Sequence, residues 1–164
     1  MEDDSLHDLV VVVIDETERG VDTDRWADLV RRAQAGEGVR APAETNVVFV
    51  DEPTIAQLNA DHMGVDGATD VLSFPIDDDP TMLEADEVRL VGDIALCWDV
   101  AERNAADHAG SLDDEIALLL IHATLHLLGH DHAEPDERAL MWASERRLMN
   151  QLWTPLSRDP WQES

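Results

Sequence analysis

The stretch at residues 115–128 constrains this chain more than any other. It holds no glycine or proline and is rich in leucine, isoleucine and alanine, which reads as a helix. At roughly 100° per residue, Ile116, Leu119, Leu120, Ala123 and Leu127 form one stripe. Ala117, Leu118, Ile121, Leu125 and Leu128 cover most of the remaining circumference. A helix apolar nearly all round is a buried helix, so the rest of the domain must pack around it. Glu115, His122 and His126 nonetheless share one row on this helix, spaced seven and then four residues apart. Buried polar groups need a partner, because stranding one costs about 1–3 kcal/mol.

His122 and His126 leave the same face about one turn apart. Gly129 follows the last apolar residue, where helices commonly end in a left-handed conformation that glycine adopts without strain. The chain can then reverse and bring His132 back toward the other two. Three imidazoles with no fourth protein ligand form the arrangement of a catalytic zinc ion that keeps one position for water. The competing arrangement is two core histidines satisfied by backbone carbonyls plus a surface His132; three histidines at this spacing favour the metal. His122, His126, Gly129 and His132 also match offsets 0, 4, 7 and 10 of the long metzincin peptidase motif. Those peptidases carry a glutamate after the first histidine; here it is Ala123, whose methyl group cannot accept a proton. A metallopeptidase is therefore a remote alternative.

At 164 residues and 44% apolar content, one domain with a real hydrophobic core is expected. We place that domain at residues 1–154, with 155–164 as a loosely attached tail. No apolar run approaches the roughly 18–20 residues that span a bilayer. Residues 10–14 are too short, and their flanks too acidic, for a secretory signal, so a cytoplasmic location is expected. Cys97 is the only cysteine, which leaves no disulfide framework and no thiolate zinc site; it reads as a small buried hydrophobe. Asp and Glu number 37 against 11 basic residues, all arginine, for a net charge of −26. So acidic a surface argues against generic nucleic-acid or membrane binding. A polyanionic substrate needs a local positive patch or a metal to approach.

Along the chain, residues 1–8 read as a frayed acidic end and 9–14 as a strand buried on both faces. Asp24 is the expected N-cap of a helix through about residue 35, with Trp26, Leu29, Val30 and Ala33 facing inward. A strand at 45–50 precedes a helix capped by Asp51 that runs to about Asn59 or beyond, then a loop, then a strand at 69–74 stopped by Pro75. Residues 76–87 form an acidic, solvated loop, 88–97 a strand and 98–108 a helix. Ser111 with Asp114 caps the central helix, and Pro135 opens a last helix to about Asn150, with Met141, Leu148 and Leu152 inward. The fold class is α+β: a single domain with a small mixed four-stranded sheet, helices packed around the buried histidine-bearing helix.

The block His122-Ala123-Thr124-Leu125-His126-Leu127-Leu128-Gly129-His130-Asp131-His132 resembles the signature of the YbeY family of bacterial metal-dependent endoribonucleases, usually H-G-x-L-H-L-x-G-Y-D-H. Thr69-Asp70-Val71-Leu72-Ser73-Phe74-Pro75 and Gly92-Asp93-Ile94 agree with the same family, and the similarity spans about residues 9–150. The resemblance implies one zinc ion held by His122, His126 and His132. It also implies single-strand-specific cleavage in ribosomal RNA maturation, notably at the small-subunit 3′ end, and in ribosome quality control. The implied partners are a ribosomal RNA precursor and either the small subunit or an assembly GTPase, with no DNA and no membrane. A zinc-stabilised ribosome-assembly factor with little nuclease activity is the second reading. Met63 stands before Gly64 where the family usually has an arginine, and His130 replaces a usual tyrosine. That arginine would be a phosphate clamp; Arg103 and Arg138 are the candidate substitutes, and nothing in the sequence places either one. Asp131 and Glu115 are candidates to orient a liganding histidine through its second ring nitrogen, and His130 to act as acid or base. Ser73 is a candidate to line the cleft, Asp70 and Asp93 to fix loops. His62, His108 and the scattered tryptophans read as incidental or as packing residues.

Overall fold

The computed structural model describes residues 9–77 and 79–161. The expected frayed end at 1–8 lies outside the described residues, as do Asp78 and 162–164. The elements are β1 (Leu9–Asp15), α1 (Thr23–Gly36), β2 (Ala43–Val50), α2 (Glu52–Met63), β3 (Val71–Pro75), β4 (Arg89–Cys97), α3 (Trp98–Ala105), α4 (Leu112–Leu127) and α5 (Pro135–Leu152). The four strands form one sheet in the order β1-β2-β4-β3, parallel except for β3, which runs antiparallel to β4. This is the mixed four-stranded α+β arrangement expected from the sequence.

Helix α4 runs through the middle of the molecule, touching α1, α3, α5, β3 and β4. Ile116, Ala117, Leu118, Leu119, Leu120 and Ile121 are all buried in succession, as an all-apolar circumference requires. Ser111 caps the helix by accepting from the Asp114 N–H at 3.2 Å, and Asp113, Asp114 and Glu115 place negative charge at its positive end. The sheet separates two apolar clusters. Val47, Phe49, Ile94 and Leu96 face α1 and α4, while Val50, Ala95 and Cys97 join Ile55 and Val100 on the other side. Buried there, the Cys97 thiol is pushed up by desolvation, in keeping with a packing role.

Strand β4 carries an extra residue. The pairing with β2 steps from Glu44–Leu90 to Thr45–Gly92, so Val91 is bulged. Val91 and Ile94, three apart, consequently both join the core that contains α4. Regular alternation would send them to opposite faces.

Several boundaries differ from the sequence reading. Strand β1 alternates buried and exposed rather than being buried on both faces: Val10, Val12 and Ile14 are 46%, 39% and 49% exposed. It is an edge strand with a helix on one side only, which a run of β-branched residues does not reveal. Asp22, not Asp24, caps α1, its carboxylate accepting from the Arg25 N–H at 3.2 Å. Helix α2 is capped by Asp51 as expected and continues to Met63, because Gly64 supplies the left-handed turn that ends it. Helix α3 stops at Ala105, short of His108. Beyond α5 the chain through Trp161 returns to the body of the domain. Trp153 stacks on Trp26 at 5.4 Å between ring centres, and Leu156 and Trp161 pack against the main core.

Candidate metal centre

The C-terminal end of α4 builds the site. Gly129 takes φ +100°, its N–H donates to the His126 carbonyl at 3.1 Å, and the His130 N–H donates to the Leu125 carbonyl at 3.0 Å. This pair of bonds closes the helix and turns the chain back on itself. His132 thereby reaches the face carrying His122 and His126. The three ring centres lie 4.6, 5.0 and 5.7 Å apart, and one ligand atom from each lies within 4.8 Å of the other two. Among the described residues no fourth His, Cys, Asp or Glu joins this group. His122 and His126 are half-buried and His132 is exposed, so the group opens to solvent on one side.

Two of the rings are oriented from behind. The His126 Nδ1–H donates to the His130 backbone carbonyl at 2.9 Å, so the turn that returns the chain also fixes a ligand. The His122 Nδ1–H donates to Oε1 of Glu145, a residue on α5 that is 3% exposed. In both rings Nδ1 is committed as the donor, which leaves Nε2 with a free lone pair. Burial, with His122 and His132 close by, pushes the His126 pKa below its ordinary value and keeps that lone pair available near neutral pH. The donor set and its tautomers fit a divalent transition-metal ion.

The sequence-predicted companions fall elsewhere. Asp131 accepts from the His132 N–H at 2.7 Å, which shapes the turn and holds its carboxyl below the usual range. The His130 side chain faces Glu37 at 4.0 Å; its contribution to the group is the backbone carbonyl. Glu115 is fully buried and is not part of the three-histidine group. It receives the His108 Nδ1–H at 2.8 Å and the Ala109 N–H at 3.1 Å. Sequence reasoning missed Glu145 and His108. Glu145 had a legible signal, since an acid stands in the inward stripe Met141, Leu148, Leu152 of α5 at spacings of four, three and four.

A cleft of about 710 Å³ runs past the three histidines. Its walls include Ser73, His108, Arg138, Trp142 and Trp161. Ser73 both lines the cleft and donates to the Ala123 carbonyl at 3.3 Å, tying β3 to α4. Asp70 accepts from the Val71 N–H at 2.8 Å at the end of its loop, while Asp93 fixes no loop: it lies within β4 and accepts from the Asn46 amide of β2 at 3.2 Å. Of the two arginine candidates, Arg138 lines the cleft with its guanidinium 5.2 Å from the Trp142 ring centre. Arg103 lies in a neighbouring depression, ion-paired with Glu52.

His108 is a second basic group on the cleft wall. The Glu115 carboxylate against Nδ1 raises its pKa above 6.5, with burial opposing and Asp70 and Glu145 adding to the rise. Raising a folded-state pKa stabilises the fold fully below the unfolded value, and that contribution disappears as pH rises through the folded value. The expected result is a melting-temperature gap between the parent protein and His108→Gln that is widest near pH 6 and shrinks steadily toward pH 9. Differencing the two proteins removes the contribution of the other histidines. A gap that stays constant or grows over that range rejects the charged pair.

A single-domain α+β fold with a three-histidine centre at the end of its buried helix defines a class of metal-site proteins. A model of the endoribonuclease YbeY family matches residues 12–153, and the chain belongs to that family. Endoribonuclease YbeY of Salinispora tropica is 40% identical over 146 residues, covering 85% of this chain and 93% of that one. The Nocardioides protein of the same description is 40% identical over 141 residues, covering 85% and 95%. The solution structure of TM1509 from Thermotoga maritima shares the fold, with TM-score 0.61, 24% identity and coverage of 88% and 89%. Among the described residues no helix is long and apolar enough to cross a membrane.

Proposed function

We propose that this chain is a zinc-dependent endoribonuclease that cuts single-stranded RNA during cytoplasmic ribosomal RNA maturation, at the small-subunit 3′ end. The observation that carries the reading is three imidazoles converging within 4.8 Å on the wall of an open cleft, in a chain of the endoribonuclease YbeY family. His122, His126 and His132 hold the ion. When bound, zinc supplies Lewis acidity toward a phosphoryl oxygen and acidifies water at its open position.

The protein's own part is positioning and charge. Glu145 and the His130 carbonyl keep two rings in the liganding tautomer. Asp131 holds the turn that carries His132, and Glu115 serves the cleft indirectly by orienting His108 and raising its pKa. Arg138 and His108 flank the cleft and take over the phosphate contact that Met63 cannot make. A surface at −26 repels RNA everywhere else, so affinity concentrates where these groups and the ion meet. The residue after His122 is a fully buried methyl, Ala123, which removes the base that peptide hydrolysis by the metzincin route requires.

The test uses purified protein carrying stoichiometric zinc, with single-stranded and duplex oligoribonucleotides as substrates. Cleavage of the single strand, abolished by chelation and restored by zinc, is the expected outcome. Arg138→Ala should raise KM about tenfold with kcat nearly unchanged, the size of one charge-assisted bond of roughly 1.5 kcal/mol. A folded, zinc-loaded protein that leaves RNA intact rejects the nuclease. It favours instead the zinc-stabilised assembly factor that the acidic surface and Met63 suggest.

A further inference from the structure

Glu145 joins two elements that lie far apart in sequence. Its Oε1 accepts from the His122 Nδ1–H, and its Oε2 accepts from the Trp161 indole N–H at 2.9 Å. Trp161 belongs to the segment beyond α5, which crosses back over the body of the domain. Trp153 stacks on Trp26, Ser157 lies against Gly110, and the Arg146 guanidinium sits 4.9 Å from the Trp161 ring centre. Pro160 and Trp161 then form part of the cleft wall shared with the three histidines.

The two donors use different oxygens of one carboxylate, and that carboxylate is 3% exposed. The terminal torsion of a glutamate is broad, so a single bond does not fix the plane of the group. With the indole N–H in place, both oxygens are committed and the plane is set. Without it, the carboxylate plane is free to turn, and the bond that aims the His122 Nε2 is held less firmly. Groups that orient a liganding histidine typically contribute ten- to a hundredfold in metal affinity.

We propose that the segment 153–161 is a strap coupled to the metal. Trp161 is a positioning residue that acts through Glu145 on His122, and an ion at the three histidines in turn holds the strap on the cleft wall. The coupling must be reciprocal, because each event changes the free energy of the other by the same amount. This inference rests on the reading of His122, His126 and His132 as a metal site.

Trp161→Phe keeps the ring and removes only the indole donor. Zinc affinity, read by competition with a chromophoric chelator, should fall about tenfold. The visible absorption bands of the cobalt(II)-substituted protein should shift, which a loss of packing alone would not cause. The reciprocal arm needs no variant: adding zinc to the parent protein should slow hydrogen exchange of residues 155–161 about tenfold. Equal zinc affinity and an unchanged cobalt spectrum in Trp161→Phe overturn the strap. So does exchange in 155–161 that is indifferent to zinc, even if the variant fails to fold. A parent protein that takes up no zinc rejects the metal site itself, an outcome distinct from either of these.

Discussion

Replacing His126 with alanine should weaken zinc binding about a hundredfold and suppress RNA cleavage with it, while the fold persists. His126 stands in the last turn of α4, and alanine is the best helix former, so the helix itself gains rather than loses. The bond lost is the one from Nδ1–H to the His130 carbonyl, about 1 kcal/mol net. The turn survives through the backbone bonds Gly129 to His126 and His130 to Leu125. The metal loses one ligand in three. Structural zinc sites release roughly 10–16 kcal/mol over four ligands, so one ligand corresponds to about 3 kcal/mol, or about a hundredfold in affinity. At free zinc a hundred times its dissociation constant, the parent protein gains about 2.7 kcal/mol, which raises the melting temperature of a domain this size by roughly 5–10 °C. The variant at the same zinc gains only about 0.4 kcal/mol, a shift of roughly 1 °C. A variant that keeps the full zinc-induced shift shows that the ion sits elsewhere. Cleavage undiminished by the substitution points to a contaminating nuclease.

What could be read in the sequence follows the range of the interactions. The three ligands are legible because the helix places His122 and His126 one turn apart and Gly129 reverses the chain within three residues of His132. Every step in that reasoning is local. The partners that orient them are not. Glu145 lies 23 residues from His122, and Trp161 lies 16 further on. A helix pattern shows that Glu145 faces inward without showing what it meets there. Glu115 misled for the same reason. It shares the helical row of His122 and His126, yet its partner comes from the short turn after α3, where His108 stands. The sheet shows the same limit. Strands β2 and β4 announce themselves by apolar runs, but the exposed face of β1 depends on its place at the edge of the sheet. The bulge at Val91 leaves no trace in composition; its only sign is Gly92, and that glycine decides how the sheet meets the metal helix.

Gly92→Ala should cost about 3 kcal/mol or more, the largest effect expected outside the metal ligands. Gly92 has φ +154°, a conformation that side chains rarely adopt. A Cβ there would lie 2.5 Å from the Phe74 carbonyl oxygen and 2.7 Å from Leu127 Cδ2. The first of these is backbone in the paired strand β3, which cannot move without breaking its ladder with β4. The second is the neighbour of His126 on α4. Overpacking costs about 1–3 kcal/mol and the strained backbone a similar amount, against a typical total stability of about 5–15 kcal/mol. Gly129→Ala is the natural control. Its φ is +100°, but nothing lies within 4 Å of the added carbon, so it carries strain without collision. Urea unfolding should therefore place Gly92→Ala well below Gly129→Ala in midpoint, with slopes unchanged. Equal midpoints would mean that β3 and α4 yield freely at this contact. Leu127 Cδ2 is the far end of a flexible side chain that can rotate aside, so the rigid Phe74 carbonyl carries most of the cost.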